Sequence, residues 1–189
     1  MTVRLVLASG SPRRRELLAL LGVPFDVVPA DVDESVRPGE SPVDHVRRLS
    51  IDKAAAFPIA DGEVVLGADT TVDVDGTIFG KPTDAADGRR MLGALAGRTH
   101  LVHTAVAVRG VTFEHAVVTT AVTMTPMADA AIEWYLATGE PMGKAGAYAI
   151  QGAGGAFVAS IDGSPSNVVG LPLAEVVELL RRSGLAIAR

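Results

Sequence analysis

Strand-like and helix-like runs alternate along this chain from residue 3 to residue 182, with no internal repeat and no low-complexity linker between them. Such a pattern buries its apolar faces by laying helices on a sheet. It predicts an α/β or α+β fold on an elongated, twisted mixed sheet flanked by helices, with a cleft between two lobes. With 189 residues the chain is long enough for a substantial core, and residues 1–189 are expected to form a single domain.

The N-terminal run Val3 to Ala8 reads as a short buried strand. Ser9-Gly10-Ser11-Pro12 then turns into a helix in which Leu17, Leu18, Leu20 and Leu21 are spaced for one face. Ser11 suits the N-cap and Pro12 the first helical position, where a missing N–H costs nothing, while Gly22 closes the helix. Arg13, Arg14 and Arg15 therefore fall in its first turn. Ser41-Pro42 signals a second helix by the same logic, running toward Phe57 and Pro58 with Lys53 near its end.

Glu63 to Ala68 is the next buried strand, and Asp69 is expected at its C-terminal edge. Asp75-Gly76 between Thr71–Val74 and Thr77–Phe79 is a short hairpin signal. Helical spacing returns at 85–96, 128–138 and 173–182. Two longer alternating strands, 100–108 and 113–125, are separated by Gly110, and a glycine-rich stretch, 139–155, leads into a strand at 157–161.

Composition narrows the function. Hydrophobic residues make up 48% and charged residues 21%, which leaves little room for a disordered tail. No apolar run reaches the ~18 residues of a membrane span. The start MTVRLVLASGSPRR lacks the ordering of a secretion signal, so a cytoplasmic location is expected. The absence of cysteine means that any metal is held by oxygen or imidazole. His45, His100, His103 and His115 show no zinc spacing and read as surface or strand residues. A net charge of −5 argues against a broad nucleic-acid surface, so anion binding has to be local.

Four segments carry the chemistry that such a local site needs. Ser9-Gly10-Ser11-Pro12-Arg13-Arg14 joins a glycine turn to a helix start and two guanidinium forks, a combination suited to phosphate, although a capped surface helix with solvated arginines reads the same way. Asp69, emerging after Gly67-Ala68, is placed to reach a metal or a water, or merely to start a turn. Gly80-Lys81 offers a point charge in a constrained turn, with Lys53 as its companion. Gly76 to Lys81 superficially resembles a P-loop, but three residues separate its glycines where that motif requires four, and proline follows the lysine.

In the fourth segment, 143–152, small residues allow close approach to a flat ligand, Tyr148 offers a stacking face, and Gln151 supplies both a donor and an acceptor for a base. Glu34, in an acidic stretch with Asp31 and Asp33, can pair with Asp69 around Mg²⁺, or belong to a charged loop. No serine-hydrolase elbow and no complete dinucleotide fingerprint is present.

Taken in order, ASGSPRRRELL at 8–18, LGADTTV at 66–72, GKPTD at 80–84, GKAGAYAIQG at 143–152 and NVVGLPL at 167–173 closely resemble the Maf family over nearly the whole chain. The resemblance implies an inosine-triphosphatase-like architecture, frequent homodimers, and hydrolysis of a nucleoside triphosphate to monophosphate and pyrophosphate with Mg²⁺ or another divalent ion such as Mn²⁺ or Co²⁺. It implies Asp69 as the catalytic aspartate. Ser9, Arg13, Arg14, Glu34, Lys53 and Lys81 match positions around phosphates and metal, while Arg13, Thr70 and Gln151 match positions tied to substrate choice. The AGAYAIQG form looks like the subgroup acting on dTTP, UTP and modified pyrimidine nucleotides. Pro165 after Ser164, where the subgroup often has an aromatic residue, and Ala149 for a common glycine depart from it.

A free aspartate has a pKa of about 3.9 and is a weak base at neutral pH, so a metal-holding and water-orienting role suits Asp69 as well as that of proton acceptor. The family's association with arrest of septum formation supplies a rival reading, a nucleotide sensor acting through cell-division proteins. A nucleotidyltransferase is a further enzyme alternative, without a visible motif for a second substrate.

Overall fold

The computed structural model describes residues 3–185 and 187. Its strands are β1 (Arg4–Leu7), β2 (Phe25–Val27), β3 (Glu63–Val74), β4 (Thr77–Phe79), β5 (Thr99–Arg109), β6 (Phe113–Met124) and β7 (Val158–Asp162). Its helices are α1 (Pro12–Ala19), α2 (Pro42–Ala55), α3 (Ala85–Leu95), α4 (Asp129–Ala137), α5 (Pro165–Val169) and α6 (Leu173–Arg182), with two 3-10 helices at Ala145–Ala147 and Ala153–Phe157. All strands join one mixed sheet in the order β2-β1-β3-β5-β6-β7, with β4 paired to β3. The α/β class read from the alternation is the class observed.

Local chemistry explains most boundaries. Ser41 caps α2 by accepting the Asp44 N–H at 3.1 Å, and Asp84 caps α3 by accepting that of Asp87 at 2.8 Å. Asp75 and Gly76 both take positive φ, 53° and 82°, which is the turn that lets β3 fold back onto β4. Ser11 occupies the N-cap position of α1, but its hydroxyl caps nothing; its N–H instead donates to Ser9 Oγ at 3.3 Å. The glycine-rich stretch is ordered by its two 3-10 turns, and α5 is a short helix absent from the sequence reading.

The expectation for Asp69 needs correcting. It does not end a strand: β3 runs on through it to Val74. Leu66 pairs with Leu7 of β1, and Val72 pairs with Phe79 of β4 on the same edge. Among the described residues, 67–71 thus have a neighbour on the other edge alone, where Asp69 lies opposite Ala105 of β5. The same point divides the core. Leu66 and Ala68 of β3 join Val106 and Leu180 in one cluster, whereas Val72 and Val74 join Val102, Leu92 and Tyr135 in another. Asp69 and Thr70 lie where the strand passes from one to the other, and the cleft opens there. His100 and His103 are strand residues but not surface ones, each being buried. No helix among the described residues is long and apolar enough to cross a membrane.

Candidate functional site

Gly67 brings α2 against the sheet. A Cβ there would lie 2.3 Å from the carbonyl oxygen of Ser50 and 2.6 Å from the nitrogen of Ala54, so only glycine admits the helix at this distance. Two residues further along the same strand face, Asp69 consequently meets the next α2 side chain. Lys53 Nζ donates to Asp69 Oδ1 at 2.8 Å and lies 2.5 Å from Glu34 Oε1. Both Lys53 and Asp69 are buried; removing Lys53 would strip the Asp69 carboxylate of its ion-pair partner, whereas after loss of Asp69 the ammonium keeps Glu34. Burial opposes ionisation of Glu34, but the hydrogen bond and charge of Lys53, with Lys81 and Arg14 behind them, hold its pKa below the ordinary carboxylate value. Lys81 is more open and approaches the other Glu34 oxygen to 3.9 Å.

The two α1 arginines are used differently. Arg14 is buried and stitches three segments together: Nη1 to Ser9 Oγ at 3.2 Å, Nη2 to Thr70 Oγ1 at 2.9 Å, and Nε to the Gly170 carbonyl at 2.9 Å. Burial lowers its pKa, with the charge of Asp69 opposing that fall. Thr70 is equally committed. Thr104 Oγ1 donates to the Asn167 carbonyl, so the 2.9 Å contact between the two threonine hydroxyls takes the Thr70 hydrogen. Arg13 is half-buried and turns into the cleft, its pKa also lowered by burial.

These residues line a cavity of about 420 Å³ that wraps the open edge of β3. Arg13, Arg14, Glu34, Lys53, Asp69, Thr70, Lys81 and Gln151 all reach it. Ser9 lies in an adjoining hollow of about 330 Å³ that shares Arg13, Glu34, Lys53 and Lys81 with it. The structure thus gathers every singled-out position into one place. Five cationic side chains (Arg13, Arg14, Lys53, Lys81 and Lys144) face two carboxylates, Glu34 and Asp69, giving a locally positive site in a chain of net charge −5. A polyanion fits that balance. The opposite wall is apolar, with Val72, Val102, Ala145, Tyr148 and Ile150, and can hold a base.

Two contributors escaped the sequence reading. Lys144 reaches the cavity with its Nζ tied to the Glu140 carbonyl, and burial followed by the nearby Arg13 charge lowers its pKa. Thr71 lines the same cavity with Oγ1 buried and lacking a partner among the described residues. Nothing in the local sequence marks Thr71, whereas Lys144 is a cation inside the glycine-rich segment already weighed.

The model of the family described as Maf-like protein matches residues 4–183. A dTTP/UTP pyrophosphatase of Anaeromyxobacter dehalogenans (strain 2CP-C) is 58% identical, covering 99% of this chain and 97% of that one. One of Myxococcus xanthus (strain DK1622) is 51% identical, with 97% and 94% covered. Among solved structures, the Ham1 protein of Staphylococcus aureus is 17% identical with a TM-score of 0.45, covering 67% of this chain and 72% of that one. The family match spans β1 to the end of α6 and includes every residue that lines the cleft, and the chain belongs to the Maf family.

Proposed function

We propose that this chain hydrolyses nucleoside triphosphates, dTTP and UTP first and modified pyrimidine nucleotides with them, to nucleoside monophosphate and pyrophosphate. The observation that carries the reading is the Asp69–Lys53–Glu34 cluster at the open edge of β3, set in a cation-rich cavity with an apolar far wall. The names of the relatives from Anaeromyxobacter and Myxococcus support the same substrates. Enzymes of the nucleotide pool work in the cytoplasm, where we place this one.

The triphosphate lies along Arg13, Lys81 and Lys144, whose charges hold its oxygens, while Arg14 supports the wall through Ser9 and Thr70. The base lies against Tyr148 and Ile150, where Gln151 reads its polar edge. A water orients on Asp69 and attacks the α-phosphorus. Its oxygen forms the new P–O bond, the bond to the bridging oxygen of the β-phosphate breaks, pyrophosphate departs, and the water's proton passes to Asp69 or to solvent. An ammonium already lies between Glu34 and Asp69, so this spot stabilises positive charge. Glu34 and Asp69 would hold a hard divalent ion, Mg²⁺ first, through the carboxylate oxygens that Lys53 does not engage. When bound, such an ion neutralises charge on the phosphate oxygens.

Pyrophosphate release measured over a panel of normal and modified triphosphates, with Mg²⁺, Mn²⁺ and Co²⁺ in turn, tests the reading. Release from UTP and dTTP is expected. Release from a purine analogue such as m⁷GTP alone would overturn the pyrimidine assignment, and saturable binding without release would favour the regulator of septum formation.

A further inference from the structure

Glu34 belongs to the irregular segment 28–41 between β2 and α2, where no ladder of backbone bonds fixes its place. Two side chains of α2 bond to residues 33–35 of this segment. Lys53 meets the carboxylate of Glu34 itself. Arg48 grips the main chain on either side of it: Nη1 donates to the Asp33 carbonyl at 3.4 Å and Nη2 to the Ser35 carbonyl at 2.9 Å.

The Arg48 guanidinium is itself held. It forms a two-pronged pair with Glu40, Nε to Oε1 at 2.6 Å and Nη2 to Oε2 at 2.9 Å. Glu40 also contacts His45 Nδ1 at 3.0 Å and accepts the Arg37 N–H at 3.0 Å. The side chains of Arg48 and Glu40 are 13% and 8% exposed, unlike an ordinary surface ion pair. The hydrogen bond from Arg48 is the largest influence holding the Glu40 carboxyl far below the usual range.

We propose that Arg48, locked by Glu40, is a positioning residue for Glu34, fixing the backbone on both sides so that the carboxylate stands between Lys53 and Lys81 before any ligand arrives. The proposal rests on reading Glu34 as part of the pyrophosphatase site. A segment without regular structure would otherwise lose its freedom at each binding event, and a carboxylate displaced by about 1 Å costs rate steeply. Lysine cannot replace Arg48. The arrangement needs a planar fork with several N–H groups aimed at one carboxylate and two carbonyls, whereas an ammonium is a point donor.

The test compares wild type, Arg48→Lys, Glu34→Gln and the double variant. Backbone ¹⁵N order parameters of residues 33–36 are measured without ligand, and pyrophosphate release from UTP is followed as Mg²⁺ is varied. In Arg48→Lys, the order parameters at 33–36 are expected to fall from about 0.85 to below about 0.6 while those of the core strands stay unchanged. Its kcat is expected to fall about tenfold, with more Mg²⁺ required for half-maximal rate. Adding Arg48→Lys to Glu34→Gln should cost nothing further, because the arginine acts through that carboxylate. Unchanged order parameters at 33–36, or losses that add in the double variant, would overturn the proposal. If wild type released no pyrophosphate from any triphosphate, the pyrophosphatase reading would fail alone, and the order parameters would still decide the role of Arg48.

Discussion

The two halves of the cleft are built from different materials. Around β1, α1 and α2 the wall is made of charged side chains that hold one another, Arg14 on Ser9 and Thr70, Lys53 on Asp69 and Glu34, Arg48 on Glu40. Around residues 139–157 it is made of backbone bent by glycine and pinned from within by one acid. Glu140 accepts the N–H groups of Ala153 and Gly154 and the hydroxyl of Tyr135, which itself accepts the Ala149 N–H. A site that moves a highly charged triphosphate and reads a flat base needs both. Charge placed by side chains responds to point substitution mainly through rate, whereas a surface shaped by backbone responds mainly through fit.

The largest blow to the charged half is Asp69→Asn, which keeps the shape and removes the carboxylate. Pyrophosphate release should fall by about 10²-fold or more with the fold retained, as for other general-base positions; near-normal turnover would remove Asp69 from the centre of the chemistry. Gly67→Ala comes next. The added methyl meets the α2 backbone, so thermal unfolding should reveal a loss of about 1–3 kcal/mol from overpacking, with kcat falling as Lys53 is pushed from Asp69.

An acid titration probes the other half. Burial drives the pKa of His100 down to about 4, and the ring meets Tyr148 through Nε2 at 2.8 Å. The unfolded chain binds the proton first, so stability should decline as pH falls from about 6.5 toward 4, by about 1.4 kcal/mol per unit. His100→Asn should flatten that slope in chemical unfolding curves, and an unaltered slope would place the acid sensitivity elsewhere. The smallest effect is expected from Gln151→Ala. Losing a hydrogen bond worth about 0.5–1.5 kcal/mol should raise KM for UTP and dTTP and blur discrimination among bases. A fall in kcat with KM unchanged would mean that the two halves are not separable in this way.

Where local chemistry decides an element, it was readable in advance. Ser41-Pro42 marks the start of α2, Asp75-Gly76 the tight turn, and the serine, glycine and proline spacing at 9–12 the turn into α1. The sequence pattern ends the strand at Asp69 for a physical reason: a polar pair, Asp69-Thr70, interrupts the apolar pattern in the middle of a strand, within the stretch 67–71 that has no strand neighbour on one edge among the described residues. Periodicity fails there because the strand borders the cleft instead of a core. The Arg48–Glu40 lock joins two residues whose partnership depends on how a loop folds back over a helix, and Thr71 lacks a partner only in three dimensions. Neither leaves a trace in residue order.

The continuity of β3 has a mechanical consequence. Because this strand and β5 pass unbroken through both apolar clusters, the two walls of the cleft are set on one rigid beam, and their spacing cannot change without bending the sheet. The cleft is therefore a fixed caliper for whatever spans it, and adjustment to a guest falls to the open side chains at its rim, Lys81 and Gln151.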